Sequence, residues 1–221
     1  VAERACLVIG GGHEAVKKVR SLLEAGAKVH VISTSLAPDL LPLADEGRIT
    51  VKCRPYRPGD LDSAFLAFAC TGDETVNAAI AREARSTGVL LNVVDRPARC
   101  DFIMPAVVRQ GSLTVAITTD GQSPAFAKRL QGELAGTFGP AHAEFLDLLG
   151  ALRPVVLQAG LSLPERSALF TDLVHSGAFE RLEAGDRPAA MGIMIRLLKE
   201  QGVAWPAQWS TWWEPVREIP T

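Results

Sequence analysis

A short apolar run, Ala5–Ile9, passes directly into Gly10-Gly11-Gly12 and then into a segment whose apolar residues recur at helical spacing. A strand that ends in glycines lets the backbone come close to a ligand, and the helix behind it offers unpaired N–H groups and the positive end of its dipole to an anion. Read as G-x-G-x-x-A, the turn is Gly10, Gly12 and Ala15, a variant of the dinucleotide fingerprint in which a small third residue permits close helix–strand packing.

Alone the motif is not specific, because any strand-to-helix turn can use glycine; its context narrows the reading. Val16, Val19 and Leu23 follow at helical spacing, Gly26 ends the helix, and Lys28–Ser33 reads as a second strand, which completes a βαβ unit. The acidic residue that closes the second strand of many NAD sites is missing, since the strand runs out in Ser33, Thr34 and Ser35. Hydroxyls there suit a ribose or a phosphate, which leaves NAD against NADP open.

Composition restricts the alternatives. The 221 residues suffice for one large core or for a domain plus a smaller one. A formal net charge of −2 with interspersed signs provides no basic field for nucleic acid and no polybasic membrane patch. No apolar run reaches membrane-spanning length and the first residues do not read as a secretory leader, so a cytoplasmic protein is expected. Cys6, Cys53, Cys70 and Cys100 form no C-x-x-C pair, and buried free thiols are expected. The four histidines are scattered, with no zinc-ligand spacing and no metal site expected.

Three parts are expected, with boundaries near residues 100 and 140. Residues 1–100 alternate strands (5–9, 28–33, 48–53, 64–70, 89–94) with helices (13–25, 73–87 and a shorter one near 36–46), the pattern of a Rossmann-like, doubly wound α/β sheet. Asp73 is a plausible cap for the second long helix and Gly88 a stop. Residues 101–140 hold two β-branched runs, 102–108 and 113–119, joined by Arg109-Gln110-Gly111-Ser112 as a hairpin, and then Ser123-Pro124 opens a helix. Residues 141–221 are helical in pattern. Phe145, Leu148, Leu149 and Leu152 share one face, as do Met191, Met194, Ile195 and Leu198, with Pro154, Pro164 and Gly185 as punctuation between three or four helices. Four tryptophans from Trp205 to Trp213 read first as packing against the chain's own helices.

The order Val8-Ile-Gly-Gly-Gly12, Asn92-Val-Val-Asp95-Arg-Pro, Asp101-Phe-Ile-Met-Pro-Ala106, Arg109-Gln-Gly-Ser-Leu-Thr-Val-Ala-Ile117 and Asp120-Gly-Gln-Ser-Pro124 resembles the precorrin-2 dehydrogenase, or siroheme synthase, family. The resemblance covers roughly residues 5–150. It implies the stand-alone form, since no methyltransferase domain fits after residue 150. It further implies NAD-dependent oxidation of precorrin-2 to sirohydrochlorin by a homodimer that binds the tetrapyrrole between the nucleotide lobe and the hairpin-containing dimerisation lobe. Some members also insert iron, so a bifunctional dehydrogenase and ferrochelatase acting on ferrous or cobaltous ion is the alternative.

By resemblance the essential aspartate of the family falls on Asp95 and a cleft serine on Ser123, and the cofactor turn falls on Gly10, Gly12, His13 and Glu14, with Thr34, Ser35 and Thr71 around the nucleotide. The residues support Asp95 separately. It follows the fifth strand at the carboxyl edge, where ligands of such sheets bind, and a carboxylate there can take a proton as hydride leaves. Without the family, a turn aspartate bonded to its own backbone is the simpler reading. Arg96, Arg99, Lys128 and Arg129 are the cations expected to meet substrate carboxylates, surface charge being the plain alternative. Glu14 is expected to face solvent, with its backbone doing the binding. Asp120 departs from the family pattern, where glycine is common, and adds a negative charge near an anionic substrate. A remoter alternative is a non-catalytic nucleotide-sensing module on the same sheet, which has no use for the hairpin, Asp95 or the Ser123-Pro124 helix.

Overall fold

The apolar runs of the first hundred residues have buried residues on both of their faces, which only a sheet covered on two sides accommodates. In the computed structural model, which describes residues 1–205, five parallel strands do this: β1 (Ala5–Ile9), β2 (Lys28–Ser33), β3 (Ile49–Cys53), β4 (Leu66–Ala69) and β5 (Leu90–Val93), in the order β3-β2-β1-β4-β5. Cys6, Val8, Val29, Val31 and Phe68 pack on one face against α1 (His13–Glu24). Leu7, Ile9, Ile32, Ala67 and Leu91 pack on the other against Ile80, Ala81 and Ala84 of α3 (Glu74–Thr87). A short α2 (Leu41–Asp45) precedes β3.

Local chemistry sets the element ends. Ala27 and Gly26 donate to Leu22 and Leu23 carbonyls, with Gly26 at φ 72°, a Schellman stop for α1. The Asp73 carboxylate accepts from the N–H groups of Thr75 and Val76 at the head of α3, and Gly88 closes it at φ 74°. Both ends of α3 match the expectation from sequence.

Two units are distinguished, Val1–Met104 and a second that begins at Pro105. In the second, β6 (Ala106–Gln110) and β7 (Leu113–Ile117) form the antiparallel hairpin, and α4 (Pro124–Thr137) lies on it, with Gln131 Nε2 donating to the Val107 carbonyl at 2.7 Å. Strand β6 starts four residues later than the expected 102. Phe102 belongs to the first unit, its carbonyl accepting from Asn92 Nδ2 and its ring set edge-on to Phe68.

Four further helices follow: α5 (Pro140–Gln158), α6 (Leu163–His175), α7 (Ala178–Glu183) and α8 (Arg187–Glu200). Their core joins Phe145, Leu148, Leu152, Leu169, Met194 and Leu198, with Trp205 packed against it. Two expectations, on Pro154 and Ile195, are corrected, and that on Pro164 holds. Pro154 lies inside α5 instead of ending it. The residue four positions earlier is Gly150, which bears no side chain to hinder its carbonyl from leaning away from the proline ring. Pro164 opens α6 behind a capping box of Ser162 and Glu165. Ile195 is 38% exposed, one step off the stripe of Met191, Met194 and Leu198. Trp209, Trp212 and Trp213 lie outside the described residues.

Candidate functional site

The glycine turn is wedged between the ends of three strands. Gly10 donates to the Ile32 carbonyl at 2.9 Å, the Gly11 carbonyl accepts from Ala37 at 2.7 Å, and Cys70 donates to Ile9 at 2.7 Å. At φ 114°, Gly10 holds a backbone that side chains rarely adopt, and a Cβ there would lie 2.5 Å from the Cys70 carbonyl oxygen. A Cβ on Gly11 would collide with the Ser35 carbonyl oxygen, whereas one on Gly12 would meet nothing within 4 Å. The middle glycine is therefore fixed by the fold, and the third fronts open space. The fingerprint treats Gly11 as variable, so the sequence carried no signal for it.

Gly12 starts α1 with no capping side chain, which leaves the N–H groups of the first turn aimed at that space. A cleft of about 360 Å³ opens there, lined by Gly10, Gly12, Thr34, Arg54, Tyr56 and Thr71 among others. Open room before a glycine and unpaired helix N–H groups are what a pyrophosphate needs, so these residues fit a dinucleotide. Thr34 lies on the cleft. His13 and Ser35 do not line it; Ser35 carries the turn, its carbonyl accepting from Ser33 Oγ at 2.7 Å. The Thr71 hydroxyl is engaged with Asn77 Oδ1 at 2.8 Å, and Asn77 Nδ2 returns a bond to the Thr71 carbonyl, which braces the end of β4 against α3. Burial pushes the Cys70 thiol up to about 12, so it stays protonated beside the cleft.

A second hollow of about 280 Å³ shares Cys70, Thr71 and Gly72 with the first and is also lined by Glu14, Glu74, Asp95 and Arg96. Asp95 follows β5 on a turn in which Val94 donates to Ala69 and Arg96 donates back to Val93. Its φ of 58° places it in the left-handed region, which aspartate tolerates at a cost of about 1 kcal/mol. Its carboxylate is exposed and accepts no hydrogen bond among the described residues, unlike a turn aspartate tied to its own backbone. The return from Asp95 is pinned beneath β5, where Asp101 Oδ2 accepts from the Leu91 N–H and Cys100 Sγ from that of Val93.

The expected cations have partners of their own. Arg99 and Arg96 reach Glu74 at 2.5 and 3.4 Å, and Arg129 meets Glu133 one helical turn on, so of the four only Lys128 has no bond recorded among the described residues. Glu14 pairs with Lys17 at 2.7 Å, which holds its carboxyl below the usual range, and it rims the Asp95 hollow instead of pointing wholly to solvent. Ser123 caps α4 by accepting from Phe126 at 3.2 Å. It and Asp120, at φ 54°, belong to the second unit. Cys53 is exposed, contrary to expectation, because it ends β3, the edge strand.

Sequence reasoning missed one group. Arg54, on the cleft, is held bidentately by Asp60 at 2.8 and 2.5 Å. Glu83 accepts from Tyr56 Oη and from the N–H groups of Gly59 and Leu61, which closes the loop, and burial with Glu83 drives the Tyr56 phenol upward. No spacing rule marks such a loop.

Residues 1–106 match a family described as NAD(P)-binding, and residues 110–137 match the central part of sirohaem biosynthesis proteins. The first unit is thus an NAD(P)-binding domain. The chain is 34% identical over 90% of its length to a siroheme synthase of Methylobacillus flagellatus and 39% identical over 74% to one of Methylococcus capsulatus. It covers 43% and 34% of those proteins, so it spans less than half their length. The solved structure of SirC, a precorrin-2 dehydrogenase, superposes with a TM-score of 0.70 at 22% identity, covering 88% of this chain and 96% of that one, a likeness of fold.

Proposed function

Because the chain belongs to the precorrin-2 dehydrogenase and siroheme synthase family, we propose that it oxidises precorrin-2 to sirohydrochlorin with NAD, with Asp95 as the general base. The observation that carries this reading is a carboxylate free of internal partners in a hollow that shares Cys70, Thr71 and Gly72 with the nucleotide cleft.

NAD, when bound, accepts the hydride. The chain supplies the rest. Gly10 and Gly12 give close backbone approach, and the N–H groups of His13 and Glu14 at the head of α1 hold the pyrophosphate. Thr34 lies at the ribose end, Ser35 holds the turn behind it through its carbonyl, and Thr71 keeps the end of β4 in place. Removal of two hydrogens as a hydride and a proton leaves the proton to be collected, and Asp95 takes it on its carboxylate and returns it to solvent, to which it is open. Arg96 and Arg99, steadied by Glu74, hold the Asp95 turn on α3. Lys128 and Ser123 are proposed to meet the substrate's carboxylates from the second unit, and the protein is proposed to act as a homodimer.

The test is anaerobic turnover of precorrin-2 with NAD by the native protein and Asp95→Asn, repeated with ferrous or cobaltous ion. The reading expects kcat to fall at least about 100-fold in the variant with NAD affinity kept, the range for loss of a general base. Full activity in Asp95→Asn removes Asp95 from the mechanism. Metal-dependent loss of the sirohydrochlorin spectrum adds chelation to the activity. Nucleotide binding without any turnover favours a sensor.

A further inference from the structure

The end of β2 lacks the carboxylate that rejects a 2′-phosphate in many NAD sites. In the sheet register Ser33 stands opposite Cys53, so Arg54 leaves β3 at the level where Thr34 leaves β2, and both line the cleft that begins at Gly10 and Gly12. A guanidinium at that place is the group suited to a 2′-phosphate. Arg54 is the only cationic residue among the described residues lining the cleft.

Three of its five N–H donors are already committed. Nη1 donates to Asp60 Oδ2 at 2.8 Å and to the Pro55 carbonyl at 2.9 Å, and Nη2 donates to Asp60 Oδ1 at 2.5 Å. The Asp60 side chain is 7% exposed and that of Arg54 is 27% exposed, so the pair is set into the protein with only the arginine reaching the cleft. Asp60 is itself held by the Arg57 N–H at 2.8 Å, and the Glu83 bonds to Tyr56, Gly59 and Leu61 keep the surrounding loop from opening. The result is a fixed, charge-neutral pair where a 2′-phosphate would need a free cation.

We propose that Asp60 is the residue that sets cofactor preference: by occupying Arg54 from behind, it supplies the discrimination against a 2′-phosphate that the hydroxyl-rich end of β2 does not. The inference rests on the nucleotide assignment of the cleft and not on the tetrapyrrole chemistry. It makes the negative charge indirect. In place of a carboxylate touching the ribose, a buried carboxylate withholds the arginine that would otherwise welcome the phosphate.

Calorimetric titration of NAD and NADP into the native protein, Asp60→Asn, and Asp60→Asn combined with Arg54→Ala tests this. The native protein is expected to bind NAD more tightly than NADP. Asp60→Asn is expected to tighten NADP at least about ten-fold while NAD changes less than about three-fold, since an arginine released to a phosphate gains charge-assisted bonds. The gain is expected to vanish in the double variant. An unchanged NADP-to-NAD ratio in Asp60→Asn, a native preference for NADP, or a gain that survives loss of Arg54 overturns the inference. Failure of the native protein to bind either nucleotide overturns the cofactor assignment itself, a separate outcome. Should Asp60→Asn not fold, Asp60→Ser, which keeps an acceptor for the Arg57 N–H, serves the same comparison.

Discussion

An added methyl group at Gly11 runs into the Ser35 carbonyl oxygen and lies 2.8 Å from Ser33 Oγ, whereas one at Gly12 meets no protein atom within 4 Å. Backbone oxygen cannot swing aside as a side chain can, so Gly11→Ala must displace the turn after β2. It is expected to cost about 1–3 kcal/mol in chemical denaturation, the usual penalty for overpacking. Gly12→Ala is expected to cost less than about 1 kcal/mol, because alanine is only a poorer N-cap than glycine. Its effect falls on NAD affinity, which titration should show weakened at least ten-fold as the methyl enters the space before α1. Equal losses of stability in both variants would contradict the division between a glycine held by the fold and one left for the ligand. At this scale the sequence singled out Gly10, Gly12 and Asp95, each tied to a position in a known pattern, and the structure sets them on the two hollows. Gly11, Asp60 and Glu74 act through contacts between residues distant in the chain, and no local pattern announces those.

Elements were more legible than residues, because each strand and helix of the first unit is bounded by its own short-range chemistry. Strands β1 and β2 begin and end where their apolar runs are expected to. The strands expected at 64–70 and 89–94 shrink to Leu66–Ala69 and Leu90–Val93, because their outer residues pass into turns and caps. Pro154 was misread for the opposite reason: packing of Leu152 and Val156 in the helical core carries α5 through a residue that by itself favours a break. Caps are where an element's stability is most open to a single change. Asp73→Ala removes two bonds at the head of α3 and Ser123→Ala one at the head of α4, and each is expected to lower stability by about 1 kcal/mol in urea denaturation. Asp73→Ala should also weaken NAD binding, since α3 braces Thr71 through Asn77, whereas Ser123→Ala should not. Nucleotide affinity that responds to Ser123 and not to Asp73 would overturn the placement of the cofactor site in the first unit.

For the molecule as a whole, the Rossmann-like sheet carries both hollows within one unit, and the proposed chemistry follows from their shared edge at Cys70, Thr71 and Gly72. A larger hollow of about 460 Å³ between α5 and α6, lined by Leu157, Leu163, Phe170 and Val174, contains none of the expected site residues. Size alone would have pointed there, but its lining, which also holds Arg153, Arg166 and His175, offers neither the phosphate turn nor a carboxylate. The hairpin and four helices of the described second unit were visible in outline, but the two substrate-binding residues proposed there are the part least readable from sequence: Ser123 announces itself as a cap, Lys128 as ordinary surface charge. The central claim is that the native protein removes a hydride and a proton from precorrin-2 and delivers the hydride to NAD. Its most direct test is anaerobic incubation of the native protein with precorrin-2 and NAD, following NADH and sirohydrochlorin absorbance together. The account predicts one NADH for each sirohydrochlorin formed; sirohydrochlorin appearing without NADH, or neither appearing with a folded protein that binds NAD, would contradict it.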